Sequence, residues 1–300
     1  MPTDVLAAGR DGGAAPRQIR ILSLVLVAIV VALYGPVLSG LWFDWLHDAN
    51  YTHGVLVLPA VAWLLWRRRR ELQDLAPRPS YTGALIVAAS LCVFLLGQAA
   101  IELFLTRLSL LGVAAGIIVQ LAGWRHLRVC LFPICLMALA IPLPALIFNQ
   151  IAFPMQLLAS RSGEAALSLF NIPVVREGNV IRLDRATLEV AEACSGVRSL
   201  ISLGTLALVY GYVGGQTPGA RGLVALSVLP IVIVANGLRV AGAGAMAHAY
   251  GAKAAAGFLH TFSGWLFFGV AVLMLVAVER GAAAIPWPGG ARKPRVVSAA

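Results

Sequence analysis

Charged side chains are scarce in this sequence, which carries Asp, Glu, Lys or Arg at only 12% of its 300 positions. An ordinary soluble domain carries about 25%. Acidic residues are the fewest, with 13 Asp and Glu against 23 Lys and Arg, while 60% of the residues are hydrophobic. The apolar residues come in blocks of about twenty, the length that crosses a bilayer as a helix. The composition excludes an ordinary soluble protein and predicts an all-α polytopic membrane protein.

Cysteine is also rare, and its spacing gives neither a disulfide framework nor a Cys/His metal site. The four cysteines are Cys92, Cys130, Cys135 and Cys194. The first three lie inside apolar runs, where a cysteine is expected to be a small buried hydrophobe. Cys194 alone has polar neighbours, in the stretch EACSGVRSL (192–200). We therefore expect no metal and no cofactor, and we single out Cys194 as the one chemically distinctive thiol.

Eight apolar blocks predict eight membrane-spanning helices. The predicted spans cover about 21–41, 53–66, 82–100, 104–122, 128–147, 195–214, 222–243 and 260–278. They form one transmembrane domain over 21–282, between an N-terminal tail (1–20) and a C-terminal tail (283–300). The first block lacks a cleavage pattern, so we expect it to be a span and not a signal peptide.

Positive charge predicts the orientation of these spans, because cytoplasmic loops carry an excess of Lys and Arg. With both termini in the cytoplasm, the inside segments hold 15 of the 23 basic residues, including the run 67–70. The outside segments hold six, and two more fall within spans. The net charge of +10 is therefore explained by topology and anionic lipid, and we expect no binding of nucleic acid.

One long segment, 148–193, lies outside in this topology. Its first half has helical periodicity but carries Gln156, Arg161 and Glu164. We expect it to lie along the membrane interface or to re-enter the membrane, and not to cross it. Its second half pairs two short β-prone runs around Gly178 and Asn179, which predicts a small β-hairpin just before span six.

Three chemically capable side chains meet on the outer side in this arrangement: Cys194 opens span six, Arg239 is near the outer end of span seven, and His260 opens span eight. A cysteine attacks as its thiolate, which a neighbouring cation stabilises. Arg239 can supply that charge and can donate to an oxyanion, while His260 can carry protons. Ser195, Arg198 and Asn236 flank the three, Arg198 being one helical turn after the cysteine, and Glu192 precedes it.

Each of the three residues Cys194, Arg239 and His260 also has a non-catalytic explanation, and another histidine competes for the role of the base. An arginine near a helix end can extend to the lipid headgroups, a membrane cysteine is usually packing, and an interfacial histidine is often merely tolerated. His53 also lies at an outer end, that of span two, and competes with His260 for the role of base. The coincidence of three such residues at one depth favours a site.

These residues carry a family resemblance. The segments EACSGVRSL (192–200), ANGLRV (235–240) and HTFSGWLFF (260–268) resemble the exosortase/archaeosortase family of integral-membrane cysteine transpeptidases, as do YTHGVLVLPAVAWLLWRRRR (51–70) and IPLPALIF (141–148). The resemblance runs from about residue 40 to residue 280. It implies a catalytic transmembrane domain in which Cys194 is the nucleophile, Arg239 the electrostatic partner and His260 the general acid and base.

The resemblance also implies the substrates and the setting. Family substrates are exported proteins with C-terminal PEP-CTERM-like sorting tails, which consist of a short motif (Pro-Glu-Pro in the commonest bacterial type), a hydrophobic helix and a basic end. Cleavage on the outer side is followed by transfer to a cell-surface acceptor of unknown identity. Many members occur beside exopolysaccharide genes in Gram-negative bacteria. The implied location is the bacterial inner membrane, with the active site on the periplasmic side.

Two other functions fit parts of the sequence. A multi-pass solute transporter also has several spans, an intramembrane arginine and helices broken by Pro or Gly, but it predicts two related halves, which are not found here. A purely hydrolytic intramembrane cysteine protease uses the same residues with water as the acceptor. Since transfer and hydrolysis share a thioester intermediate, the residues alone leave both open.

Overall fold

A computed structural model of the protein describes residues 17–184, 186–214, 216–251, 258–285 and 287. For residues 17–27, 29, 193 and 258–262 it describes the backbone alone. Most of the two predicted tails lies outside the described residues, and so do Arg185 and Lys253, which entered the prediction of the orientation.

The described chain is mostly helical, as predicted. Its helices are α1 (Arg17–His47), α2 (Gly54–Arg67), α3 (Arg69–Asp74), α4 (Thr82–Ala99), α5 (Leu103–Leu121), α6 (Trp124–Ala138), α7 (Ala145–Leu169), α8 (Val197–Val213), α9 (Pro218–Tyr250) and α10 (Phe258–Ala284). Between α7 and α8 lie the strands β1 (Val174–Glu177), β2 (Val180–Leu183) and β3 (Ala186–Glu189). A short 3-10 turn, Glu192–Cys194, connects the strands to α8.

Several of these helices can cross a membrane. Among the described residues, four segments have the necessary length and apolar composition: Thr82–Ala99, Leu103–Leu121, Pro218–Tyr250 and Ser263–Ala284. The helices α2 and α8 are apolar but shorter. The protein is therefore a multi-pass helical membrane protein, while the number of eight spans stays a prediction.

The predicted span 128–147 is wrong, because the helix is broken within it. Helix α6 ends at Ala138 and α7 begins only at Ala145. Pro142 and Pro144 lie in this break, where proline removes backbone donors and disfavours a helical conformation in the residue before it. The sequence run IPLP thus interrupts an apolar stretch that is long enough to span as one helix.

The backbone of this break is bonded by side chains from the segment 45–53. Unpaired peptide groups are costly at membrane depth, so irregular backbone there requires partners within the protein. Two side chains donate to carbonyls and one accepts from an amide, in the pairs Trp45 Nε1 to Ala140 O (2.7 Å), His53 Nε2 to Leu139 O (3.1 Å) and Leu143 N to Tyr51 Oη (2.9 Å). The link between α1 and α2 therefore holds the break in place.

Helix α7 packs closely along part of α9. Ser162 meets Gly237, and Leu167 meets Gly244 further along the same two helices, so α7 and α9 run in the same direction. A Cβ atom added at Gly237 would come within 2.5 Å of the Cβ of Ser162. Small residues of this kind let two helix backbones approach closely. That this segment lies along the membrane interface or re-enters the membrane stays a prediction.

The predicted hairpin is present, and the structure extends it to a three-stranded antiparallel sheet. Glu177 pairs with Val180 across the two-residue turn Gly178–Asn179, in which Gly178 has a φ of 65°. The third strand was not predicted, because its sequence, ATLE, contains Ala and Glu, which are depleted in strands. The turn is held to α7, where Oγ of Ser160 donates to the carbonyl of Gly178 (2.9 Å).

The lengths of α2, α8 and α9 bring three residues to one height. At the end of the bundle that we call the basic end, the Arg68 guanidinium lies 5.2 Å from the Tyr212 ring centre. The Arg221 side chain packs beside Gly211 at the same end. Along each of the three helices, a second residue lies fifteen positions away from the one at the basic end: His53 from Arg68 along α2, Val197 from Tyr212 along α8, and Asn236 from Arg221 along α9. At a rise of 1.5 Å per residue, His53, Val197 and Asn236 therefore stand about 22 Å above the basic end.

The apolar interior has two parts that meet near this height. The main core runs through α2, α8, α9 and α10 and includes Val197 and Ala235. The second core lies between α7, the sheet and α9 and includes Ile181, Val190 and Val240. Cys194 is partly buried and packs against the second core. The cysteine thus lies at the junction between the helical bundle and the sheet.

The other cysteines differ from the prediction. Cys130 is buried as expected, but Cys92 and Cys135 are exposed on the outer surfaces of α4 and α6. The prediction of burial is therefore wrong for these two, although an outward position on a membrane helix still faces an apolar environment. Cys92 lies in α4, and Cys130 and Cys135 lie in α6, so none of them is in the turn that carries Cys194.

A buried ion pair lies elsewhere in the bundle, away from the cysteine turn. Nη2 of Arg107 donates to Oδ2 of Asp44 over 2.6 Å, and only 4% of Arg107 is exposed. A buried charge in a membrane helix needs such a partner. An apolar cavity of about 380 Å³ adjoins this arginine, lined also by Leu38, Trp42 and Met137.

Candidate active site

The backbone around Cys194 forms a tight turn that leads directly into α8. The Cys194 N–H donates to the carbonyl of Ala191 (2.9 Å), and the Ser195 N–H donates to the carbonyl of Glu192 (3.0 Å). Gly196 then takes a φ of 86°, in the left-handed region that favours glycine. The turn therefore presents the cysteine immediately before the first turn of a helix.

Asn236 of α9 fixes this turn from the side. Its Nδ2 donates to the carbonyl of Cys194 over 2.7 Å, and only 6% of the residue is exposed. A Cβ atom at Gly196 would come within 3.1 Å of the Asn236 amide, so the small residue also makes room for this contact. Asn236 thus contacts the backbone of the cysteine, and its supporting role in catalysis stays a prediction.

Ser195 has a structural role at the start of α8. It is almost completely buried, and its Oγ accepts from the N–H of Val197 (3.2 Å). The first amides of a helix have no partner within the helix, so a serine oxygen at this position satisfies one of them. Ser195 thus stabilises the beginning of α8 next to the cysteine.

Two guanidinium groups act on the Cys194 thiol. Burial raises the pKa of Cys194, and the positive charges of Arg239 and Arg198 act in the opposite direction, Arg239 more than Arg198. Arg198 is exposed, whereas Arg239 is partly buried. Because burial is the largest influence, the surroundings of Cys194 favour its thiol over its thiolate. Attack by the thiolate therefore requires a group that removes the proton.

Helix α10 contacts Arg239 at Gly264, one helical turn after His260. A Cβ atom on Gly264 would lie 3.6 Å from Nη2 of Arg239, so the guanidinium packs against this glycine. His260 is four residues earlier in α10, and residues i and i+4 share a helix face. The backbone of His260 is thereby near the arginine, while its side chain lies outside the described residues.

Glu192 connects the turn to the segment between α1 and α2. Nδ2 of Asn50 donates to Oε1 of Glu192 over 3.4 Å. His53, in the same segment, donates to the carbonyl of Leu139, as described above. His53 therefore holds the break between α6 and α7, a role that sequence reasoning missed.

The described residues contain no group of three or more His, Cys, Asp or Glu side chains that could hold a metal ion. What the described atoms bring together is a thiol, two cations and a fixing amide, with the backbone of a histidine nearby. Sequence reasoning missed the position of Gly264 and the conformation of Gly196. The second had a signal, since a glycine directly before a helical run is typical of a turn.

Comparison with known proteins gives one match. The family model described as "Transmembrane exosortase" matches residues 45–277, which is most of the chain. No curated protein and no solved structure matches the chain. The matched range contains Cys194, Arg239 and His260.

Proposed function

Because the chain belongs to the transmembrane exosortase family, we propose that it is a membrane-embedded cysteine transpeptidase. Membership supports a role in processing exported proteins that carry sorting tails. In this proposal the enzyme cleaves a C-terminal signal made of a motif, a hydrophobic helix and a basic end. The exported protein is then transferred from Cys194 to a cell-surface acceptor.

One observation carries the proposal: the turn that bears Cys194 is fixed by a buried amide and lies under the charges of two arginines. A packing cysteine in a membrane helix requires neither. The amide of Asn236 limits the motion of the cysteine backbone, and such pre-organisation is what a nucleophile needs before it attacks. The positive charges favour the thiolate and any oxyanion that develops beside it.

The reaction proceeds in two transfers. His260 takes the proton of the Cys194 thiol, and the sulfur attacks the carbonyl carbon of the scissile peptide bond. Arg239 donates to the oxyanion of the tetrahedral intermediate. The C–N bond breaks, the leaving amine takes the proton from His260, and a thioester remains. The acceptor nucleophile then attacks the thioester, its proton passes to His260, and the thiolate leaves.

The location of the site agrees with this substrate. The cysteine turn stands about 22 Å from the basic end, by helix rise, in a bilayer whose hydrocarbon core is about 30 Å thick. We infer an inner-membrane protein with its basic end in the cytoplasm and its active site on the periplasmic side. A tail helix whose own basic end is cytoplasmic then exposes its motif near the cysteine.

The orientation is tested by labelling with a membrane-impermeant maleimide. Single cysteines introduced near positions 50 and 180 are expected to react in intact cells, and cysteines near 72 and 218 only after permeabilisation. The background carries alanine at the four native cysteine positions. Labelling of position 180 only after permeabilisation would reverse the orientation and move the site to the cytoplasmic side.

The reaction is tested with a tagged substrate tail in membranes that contain the enzyme. The wild-type protein is expected to release a shortened product and, in the presence of hydroxylamine, to yield the product as a hydroxamate, because hydroxylamine attacks a thioester. Mass spectrometry identifies the new C-terminus. A product that carries water alone, even at high hydroxylamine concentration, would contradict an accessible thioester and with it the transpeptidase mechanism.

A further inference from the structure

The strand β3 forms an open edge directly before the cysteine turn. The strand order is β1-β2-β3, so within the described part of the chain β3 has a neighbouring strand on one side only. Four residues lie between the end of β3, at Glu189, and Cys194. The side chains of Thr187 and Glu189 are exposed. An edge strand with unpaired backbone groups is a template for the addition of another strand.

The register identifies which backbone groups of β3 face outward. The N–H of Val190 donates to the carbonyl of Asn179 over 2.9 Å, one step beyond the pair Val180–Glu189. In an antiparallel ladder, hydrogen-bonded and non-hydrogen-bonded pairs alternate. Glu189 with Val180 and Thr187 with Arg182 are therefore non-hydrogen-bonded pairs. The peptide groups of Glu189 and Thr187 point away from β2.

Most of the outward-pointing backbone groups of β3 are not engaged in hydrogen bonds with other described residues. The carbonyl of Glu189 accepts from the N–H of Ala191 (3.0 Å). The N–H of Glu189 and both peptide groups of Thr187 have no hydrogen-bond partner in the described part of the chain. A substrate that runs from Thr187 toward Cys194 adds as a strand parallel to β3. Thr187 can then donate to one residue of that strand and accept from another, and Glu189 can donate a third hydrogen bond.

We propose that the edge of β3 binds the substrate as an added strand, through the extended segment that precedes the scissile bond. The inference rests on the proposed function, which requires a peptide at Cys194. Backbone pairing supplies affinity that does not depend on side chains, and side chains at alternate positions supply selectivity. Recognition of this kind suits an enzyme whose substrates share a tail but not the sequence that precedes it.

The geometry allows the same peptide to occupy the edge and the thiol. Seven positions separate Thr187 from Cys194 along the chain, which is at most about 25 Å when fully extended, and the 3-10 turn shortens that path. A substrate strand paired with Thr187 thus reaches Cys194 within about seven residues of its own chain. The tail helix of the substrate begins after that point.

The decisive variant is Thr187→Pro, matched with Thr187→Val. Proline removes one outward N–H and leaves the bonds to β2 intact, and proline is tolerated on an edge strand whose N–H faces outward. Thr187→Pro is expected to lower kcat/KM for the substrate tail by about 10-fold or more, through KM. Thr187→Val, which replaces the hydroxyl with a methyl group and keeps the N–H, is expected to lose much less of kcat/KM than Thr187→Pro.

Two further measurements keep structural failure apart from loss of binding. The rate at which iodoacetamide alkylates Cys194 is expected to be unchanged in Thr187→Pro, because the turn is intact. In a Thr187→Cys, Cys194→Ala protein, a substrate with a single cysteine about seven residues before the scissile bond is expected to form a mixed disulfide at position 187.

The outcomes are distinct. Normal kcat/KM in Thr187→Pro with normal alkylation would overturn the edge as a binding site while leaving the enzyme mechanism standing. Disulfide formation between two copies of the Thr187→Cys protein, with none to the substrate, would assign the edge to self-association instead. A wild-type protein that fails to cleave the tail would remove the proposed function and this inference together.

Discussion

Replacing Cys194 with alanine is expected to lower substrate processing by about 10⁴-fold or more, because it removes the atom that forms the covalent intermediate. Serine is expected to restore little of this activity, since a hydroxyl needs a far stronger base than the site offers to a thiol. The measurement is cleavage of a tagged tail in membranes, with the abundance of the enzyme determined in the same samples.

The three other cysteines provide the matched control. Alanine at Cys92, Cys130 or Cys135 is expected to leave processing within about 2-fold, because a thiol that serves only as a small apolar group contributes little, whether it is exposed like Cys92 and Cys135 or buried like Cys130. The Cys194→Ala protein is also expected to keep its abundance in the membrane. Full processing by Cys194→Ala would end the enzymatic interpretation, and an equal loss for all four alanines would indicate a folding effect.

Changes at Arg239 and His260 are expected to have the next largest effects. Loss of one directed donor to an oxyanion typically costs about 10² to 10³ in rate, so Arg239→Met should fall by that amount. Arg239→Lys should recover only part of it, since lysine keeps the charge but not the planar fork. His260→Ala should lose about 10² to 10⁴, and His260→Gln should not restore it, because glutamine carries no proton of useful pKa.

The pH dependence of Cys194 alkylation separates the electrostatic role from simple anchoring. A positive charge beside the thiol favours the thiolate, so Arg239→Met should raise the pKa of Cys194 above its already raised value. The alkylation rate at any fixed pH below that pKa should then fall. Arg198→Met should act in the same direction but less, and Arg239→Lys should leave the profile near that of the wild type.

The alternative for Arg239 is that it merely extends toward the lipid headgroups. A lysine would then replace it almost completely, because either long side chain can reach that region. Wild-type rates for both Arg239→Lys and His260→Gln would refute the proposed catalytic set. Arg198 and His53 would be the next residues to test.

The helices show how far sequence patterns reach. Apolar length and proline or glycine signals predicted α4, α5, α8 and the start of α9 to within a few residues, because these properties act locally along the chain. The same method extended the span of α6 through the break to residue 147, within the first turn of α7. A hydropathy average does not detect the break, because the run IPLP is itself apolar. The two prolines interrupt the helix there. The side chains of Trp45, Tyr51 and His53, from a distant part of the chain, stabilise the break.

The candidate site shows the same division. The residue types Cys194, Arg239 and His260, and their family, were evident from three short segments, because reactive side chains are rare in so apolar a chain. The role of His53 in holding the break between α6 and α7 was not evident from the sequence, since its partner Leu139 is 86 residues away.

By itself, the sequence determined that this protein is helical, lies in the membrane, belongs to a family of cysteine transpeptidases and carries one distinctive thiol. Composition, periodicity and short motifs carry that information because each depends on neighbouring residues. Only the tertiary structure decided that Asn236 holds the cysteine turn, that α7 runs along α9 and that β3 ends as an open edge beside Cys194. Each of these depends on contacts between segments far apart in the chain, where packing distance and hydrogen-bond direction, not local preference, select the arrangement.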